Sequence, residues 1–271
     1  MTARAFLVRG LLVGLLAGIA TFVVAFSVGE PQVDRAIALE SSASATSGDE
    51  VAEGEVHVHE DGTEHTHAAD DESGGTTVTR DNQRTWGLAT GTLAVGLAIG
   101  GIVALVSAAA VGRLGALTPS QSTAVVALVG FVAYTLVPFL KYPATPPAVG
   151  SGDTIGQRTG LYFAFVLISL VAAVVAVLLA RRVHEAVGAY PAVVAGIGLY
   201  LVVVLTAGAL LPTVNEVGDF PADTLWFFRR ASLLTVATTW GVIGISLTGL
   251  VGRLWRTEQA VLARRELAAS I

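Results

Sequence analysis

Long apolar runs separated by polar connections set the pattern of this 271-residue chain. Six runs stand out, at 6–28, 86–111, 122–140, 160–180, 192–212 and 231–252, and none holds a charge beyond its first turn. Each is close to the ~20 residues that a helix needs to cross hydrocarbon. In lipid every backbone N–H and C=O must be paired within the segment, so continuous runs of this length predict helices. A transmembrane barrel would show shorter stretches of alternating polarity. The expected fold is all-α: a polytopic integral membrane protein with six transmembrane helices, a single membrane domain over 1–271.

The first run follows Arg4 and Arg9, a pattern shared with secretory leaders. Its apolar stretch is longer than a leader core, and Ala25-Phe26-Ser27-Val28 is a poor cleavage site, so a retained helix is expected. Orientation follows from arginine placement. With both termini cytoplasmic, nine basic residues lie inside (Arg4, Arg9, Arg113, Arg181, Arg182, Arg253, Arg256, Arg264, Arg265) and seven outside. The inner connections are then short and the outer ones long, the longest being an extracytoplasmic insert at 29–85. Residues 253–271 read as a basic helical tail drawn to anionic inner-leaflet lipid, and no nucleic-acid partner is expected. The location expected is the cell (cytoplasmic) membrane.

Within the spans, Gly10, Gly14 and Gly18 recur every four residues, as do Gly87 with Gly91 and Gly96 with Gly100. Such stripes let helices approach closely. The sixth span offers Thr235, Thr238, Thr239 and Ser246 for bonds across helices.

Charge changes the picture. Residues 29–83 hold 14 of the 21 acids and only Arg35 and Arg80, a net −12; the rest of the chain holds 7 acids and 14 bases, a net +7. With no cysteine, there is no disulfide, thiolate nucleophile or iron–sulfur cluster. The one lysine, Lys141, sits outside any Gly-Lys-Ser/Thr context, which excludes a P-loop. No Asp, Glu, Lys, Arg or His lies at mid-membrane, where proton relays and many ion-coupled transporters keep one. The same lack removes a base for intramembrane catalysis, and no enzyme activity is expected.

The acidic insert opens at Glu30-Pro31, where a short helix over residues 30–40 is expected at the outer interface. Beyond a Ser- and Gly-rich stretch come His57, His59, Glu60, Glu64, His65 and His67, so that four of the five histidines fall within eleven residues. The segment is nearly mirror-symmetric about Gly62, and Asp61-Gly62 signals a hairpin turn. A three-residue loop puts all four imidazoles on one face; a two-residue loop puts the pairs on opposite faces, with Glu60 and Glu64 completing two weaker sites. Imidazole suits cobalt, nickel, copper and zinc, and the pattern alone does not choose among them. A linker with clustered histidines by chance is the alternative to metal binding.

The two other outer loops carry Lys141-Tyr142-Pro143 with Pro146 and Pro147, and Asn215, Glu216, Asp219 and Asp223. Glu216 and Asp219 are candidate metal ligands at the outer mouth; pairing to Arg158, Arg229 or Arg230 is the plainer use of such acids. Asp223 is a candidate cap for the sixth helix.

In these loop motifs the chain resembles the CbtA family, membrane subunits of a predicted cobalt transporter associated with cobalamin biosynthesis. The resemblance rests on Gly29-Glu30-Pro31 with Asp34 through Glu40, on Leu140-Lys141-Tyr142-Pro143 with Pro146 through Gly150, on Thr154-Ile155 with Arg158-Thr159, on Leu211-Pro212 with Asn215-Glu216, and on Phe220-Pro221-Ala222-Asp223 with Leu225-Trp226 and Phe228-Arg229. It covers the first helix through the sixth, apart from the Ser- and Gly-rich parts of the insert. It implies a partner, CbtB, a small single-span protein with a histidine-rich segment. The expected function is a membrane subunit of a divalent transition-metal uptake transporter, with Co2+ as cargo ahead of Ni2+ or Zn2+, and with the histidine-rich loop capturing metal. The alternative is an extracytoplasmic metal sensor or scaffold that binds metal without moving it.

Overall fold

The computed structural model describes residues 1–48 and 78–270, and among them every regular element is helical. Six helices are long and apolar enough to cross a membrane: α1 (Ala3–Ser42), α2 (Arg80–Ala110), α3 (Pro119–Lys141), α4 (Gly152–Val187), α5 (Ala189–Leu210) and α6 (Ala222–Ala269). Each expected run maps onto one of them, with the second and fifth runs ending one and two residues past their helices. Six crossings leave both chain ends on one face, where the Met1 amine meets Glu258 at 2.9 Å. This is the terminal face; the insert leaves α1 and returns to α2 on the opposite, insert face.

Several helices outrun their apolar stretches. Residues 30–40 do not form a separate interfacial helix: a π turn at Ala25–Gly29 carries the chain straight into helical Glu30–Gly48. Pro31 accounts for the wider turn, because its ring crowds the carbonyl four residues back, that of Ser27, and it has no N–H to offer. The same pairing recurs in α3, where a π turn at Phe131–Leu136 precedes Pro138. With 40 residues, α1 extends about 60 Å, twice the ~30 Å hydrocarbon thickness. At the other end, α6 runs unbroken through the basic residues past 253 to Ala269.

Helix starts are locally encoded. Thr118 and Gln121 form a capping box ahead of α3, with Pro119 at the first helical position. Asp223 does not cap α6. Pro221 holds the cap position, and Asp223 lies in the first turn, accepting from the Thr224 N–H at 2.8 Å and adding negative charge where the helix dipole favours it.

The closest packing is between α1 and α2. A methyl group on Gly14 would strike the Gly96 carbonyl oxygen, and one on Gly96 would strike that of Gly14. At Gly18 it would lie 2.8 Å from the Leu93 Cα. Side chains are excluded, so backbone packs on backbone. Gly87 and Gly91 take no part: an added methyl at Gly91 meets nothing within 4 Å.

Across this pair lies α6. Its Thr239 hydroxyl bonds the Thr21 hydroxyl of α1 at 2.7 Å in the buried interior, while Thr235 and Thr238 turn back to their own helix at the Ala231 and Leu234 carbonyls. On its other side Trp240 lies over Gly130 of α3, where an added methyl would come within 2.8 Å of the ring. Phe6, Ile243, Leu247 and Val251 fill the core of this four-helix group. A second core joins α3, α4 and α5 around Phe165 and Val204, with Ser169 and Tyr200 sharing a hydrogen bond at 2.9 Å.

The α1–α2 contact predicts a contrast. Gly14→Val has no room and should cost about 1–3 kcal/mol through overpacking, whereas Gly91→Ala should be neutral or mildly stabilising through helix propensity. Thermal unfolding in detergent micelles reads both; equal midpoints would remove the contact's structural role.

Candidate functional site

Four of the expected ligands (His57, His59, His65 and His67), together with Glu60, Glu64 and the expected hairpin, lie outside the described residues. The structure does describe the place where their segment is rooted. Glu30 and Asp34 stand one turn apart on the extension of α1, and Arg80 and Arg84 one turn apart at the start of α2. Arg80 pairs with Glu30 and with Asp34, the latter at 2.9 Å, and Arg84 approaches Asp34 at 3.8 Å. Glu30 is buried. Arg84 also lies over the Phe26 ring, 5.5 Å from its centre. Both ends of the insert are thereby joined at one corner of the insert face. The i, i+4 spacing of both the acids and the arginines was the sequence signal for this clamp.

The other expected ligands, Glu216 and Asp219, are in the α5–α6 connection. Glu216 is the centre of a knot between loops: its Oε2 accepts from the Ser151 N–H at 3.2 Å and the Thr154 hydroxyl at 2.8 Å, and lies 3.6 Å from the Arg158 Nε. Asp219 is exposed beyond Gly218, whose φ of +54° turns the chain. Among the described residues, no group of three or more His, Asp or Glu could hold a metal ion. The structure thus does not bring Glu216 and Asp219 together with a third ligand.

The same loops are stitched at two further points. Lys141 donates to the Leu211 carbonyl at 3.2 Å, and the Tyr142 hydroxyl donates to the Pro212 carbonyl at 2.8 Å. Burial raises the Tyr142 phenol above its ordinary range, so it stays a donor. Gly150, at φ +96°, leaves its open side to the Arg158 guanidinium, which would collide with a methyl group there. This explains a glycine just after the stiff proline segment.

Beneath these loops is a cavity of about 710 Å³, walled by α2, α3, α4 and α6. Its lower wall includes Val95, Ile99 and Trp240; its upper part presents Lys141, Arg158 and Arg229. Neither Glu216 nor Asp219 lines it, nor does any other acid among the described residues. Arg229 makes one described hydrogen bond, from Nε to the Ala144 carbonyl at 3.4 Å, and meets no carboxylate among the described residues. Sequence reading offered Arg229 as a partner for loop acids; its place in a cavity depends on how four helices come together, which no local pattern carries.

The model of the CbtA family, described as a probable cobalt transporter subunit, matches residues 3–252. The chain belongs to that family. No curated protein and no solved structure matches it.

The loop knot is testable. Glu216→Ala strips a charged acceptor from two donors and a guanidinium, and should destabilise the protein by about 1–3 kcal/mol. Glu216→Gln retains an acceptor and should cost less. Unfolding midpoints in detergent rank the two; a Glu216→Ala protein as stable as the parent would contradict the knot.

Proposed function

We propose that this chain is the membrane subunit of a divalent transition-metal uptake transporter, with Co2+ as cargo and Ni2+ or Zn2+ as its nearest competitors. The observation that carries this reading is that a cobalt-transporter family covers all six membrane helices. The insert supports it: four neutral imidazoles in an acidic segment form a cation trap outside the membrane. In this reading His57, His59, His65 and His67 capture metal with help from Glu60 and Glu64, and Glu216 and Asp219 assist at the outer mouth. In this reading both termini are cytoplasmic and the insert lies outside the cytoplasmic membrane, which the nine-to-seven arginine and lysine bias supports. The protein acts as a transporter subunit rather than an enzyme, assembled with a small single-span subunit of the CbtB type.

One observation favours a second reading, a metal sensor or scaffold without transport. The buried polar groups deep in the described spans are hydroxyls, among them Thr21, Ser107, Ser122, Thr135, Ser169 and Thr239, and carry no charge to coordinate a passing cation strongly. Metal-dependent change in a cytoplasmic partner, without flux in proteoliposomes, would select it.

Cells lacking the protein and its partner, and cells expressing both, separate these readings by cobalt accumulation. Uptake should rise with expression, and equal uptake would end the transport reading. Replacing His57, His59, His65 and His67 together by Ala should abolish metal titration of the insert. In the unaltered protein that titration should weaken as pH falls below about 6.5, where imidazole takes up a proton. Unchanged titration in the four-Ala variant would remove these residues from metal capture.

A further inference from the structure

The unspent charge is in the cavity. Arg229 is half-buried and uses one of its five N–H groups; Lys141 uses one of three N–H groups for a carbonyl. The Arg158 Nε is buried without a hydrogen-bond partner, its distance to Glu216 being 3.6 Å. A charge partly removed from water needs a partner, and the described residues supply one carboxylate, Glu216, for three cations. Because no acid among the described residues lines the cavity, those residues give a bare metal dication no anionic ligand there. The volume is that of a small-molecule site. Below the cations the walls are apolar and aromatic. On one side α2 and α4 both line the cavity yet are not closely packed on each other, which leaves a gap between two apolar helices.

We propose that this cavity is a receptor for a ligand that joins an anionic oxygen group, phosphate or carboxylate, to an apolar body. The anionic group sits at the insert-face end against Arg229 and Lys141, with Arg158, ion-paired to Glu216, adding positive charge beside them. The apolar body lies along Val95, Ile99, Val236 and Trp240. Guanidinium matches two oxygens at once, and ammonium adds a point charge. A lipid entering between α2 and α4 and a soluble organic anion entering through the loops share this chemistry. The proposal goes beyond metal uptake, and its test uses no metal.

The purified full-length protein in detergent is titrated separately with phosphatidylglycerol, phosphatidylcholine, inorganic phosphate and citrate. Thermal midpoint and native mass spectrometry are the readouts. Phosphatidylglycerol should be retained and raise the midpoint, and phosphatidylcholine should not. Arg229→Gln and Lys141→Gln should each weaken the effect about tenfold, while Arg229→Lys keeps part of it. Val236→Trp fills the cavity without altering charge and should also displace the ligand, which covers the case in which a charge variant misfolds. Replacing Arg264 and Arg265, far from the cavity on the terminal face, should change nothing. Protection by citrate or phosphate without the lipid overturns the two-part ligand, because neither ion carries an apolar body. No protection by any anion, or protection unaffected by Arg229→Gln, Lys141→Gln and Val236→Trp, overturns it.

Discussion

The rest of the structure depends on the close approach of α1 to α2. Between these helices there is no hydrophobic drive, since lipid tails are as apolar as any side chain. What holds them is surface match, and Gly10, Gly14, Gly96 and Gly100 provide it by leaving carbonyl oxygens against Cα atoms. Three consequences follow from that distance. It places Thr21 where α6 can reach it through Thr239. It gives α6 a fixed position from which Trp240 covers Gly130 of α3. It also brings the extensions of both helices side by side on the insert face, so Arg80 and Arg84 meet Glu30 and Asp34.

Much of this was legible in the chain. The number and position of the spans follow from apolar runs, because lipid leaves backbone groups no alternative partner, whereas the extensions of α1 and α6 beyond those runs do not. The Gly10–Gly18 stripe announced a contact surface, and Thr239 a cross-helix bond. Two features misled for physical reasons. Gly87 and Gly91 have the same spacing as the packing stripe but face open space, since spacing reports a smooth surface and not its occupant. Pro31 suggested a helix start because proline suits a first turn, yet a wider turn before it lets one helix continue.

The site was legible only where charge spacing is local. The Glu30–Asp34 and Arg80–Arg84 pairs announce themselves by helical periodicity; the plainer reading of the outer acids left Arg158, Arg229 and Arg230 open as partners, and Glu216 takes Arg158. The cavity was not legible. Arg229, Lys141 and Trp240 come from α6 and α3, and their convergence with Val95 of α2 reflects how four helices meet. The sequence shows an acidic insert between the first two helices, while the structure adds a basic pocket among the described residues. Acids concentrated along the chain and cations gathered by folding are two different ways of building local charge.

The ion-paired root of the insert has a consequence for how the chain can change. The free energy of joining two chain ends grows only with the logarithm of the length between them, about 0.6 kcal/mol for each doubling. Because Arg80 and Glu30 fix those ends, a longer or shorter sequence between them changes the cost of joining them by little. The corner is an anchor point whose strength depends weakly on the length of chain it closes.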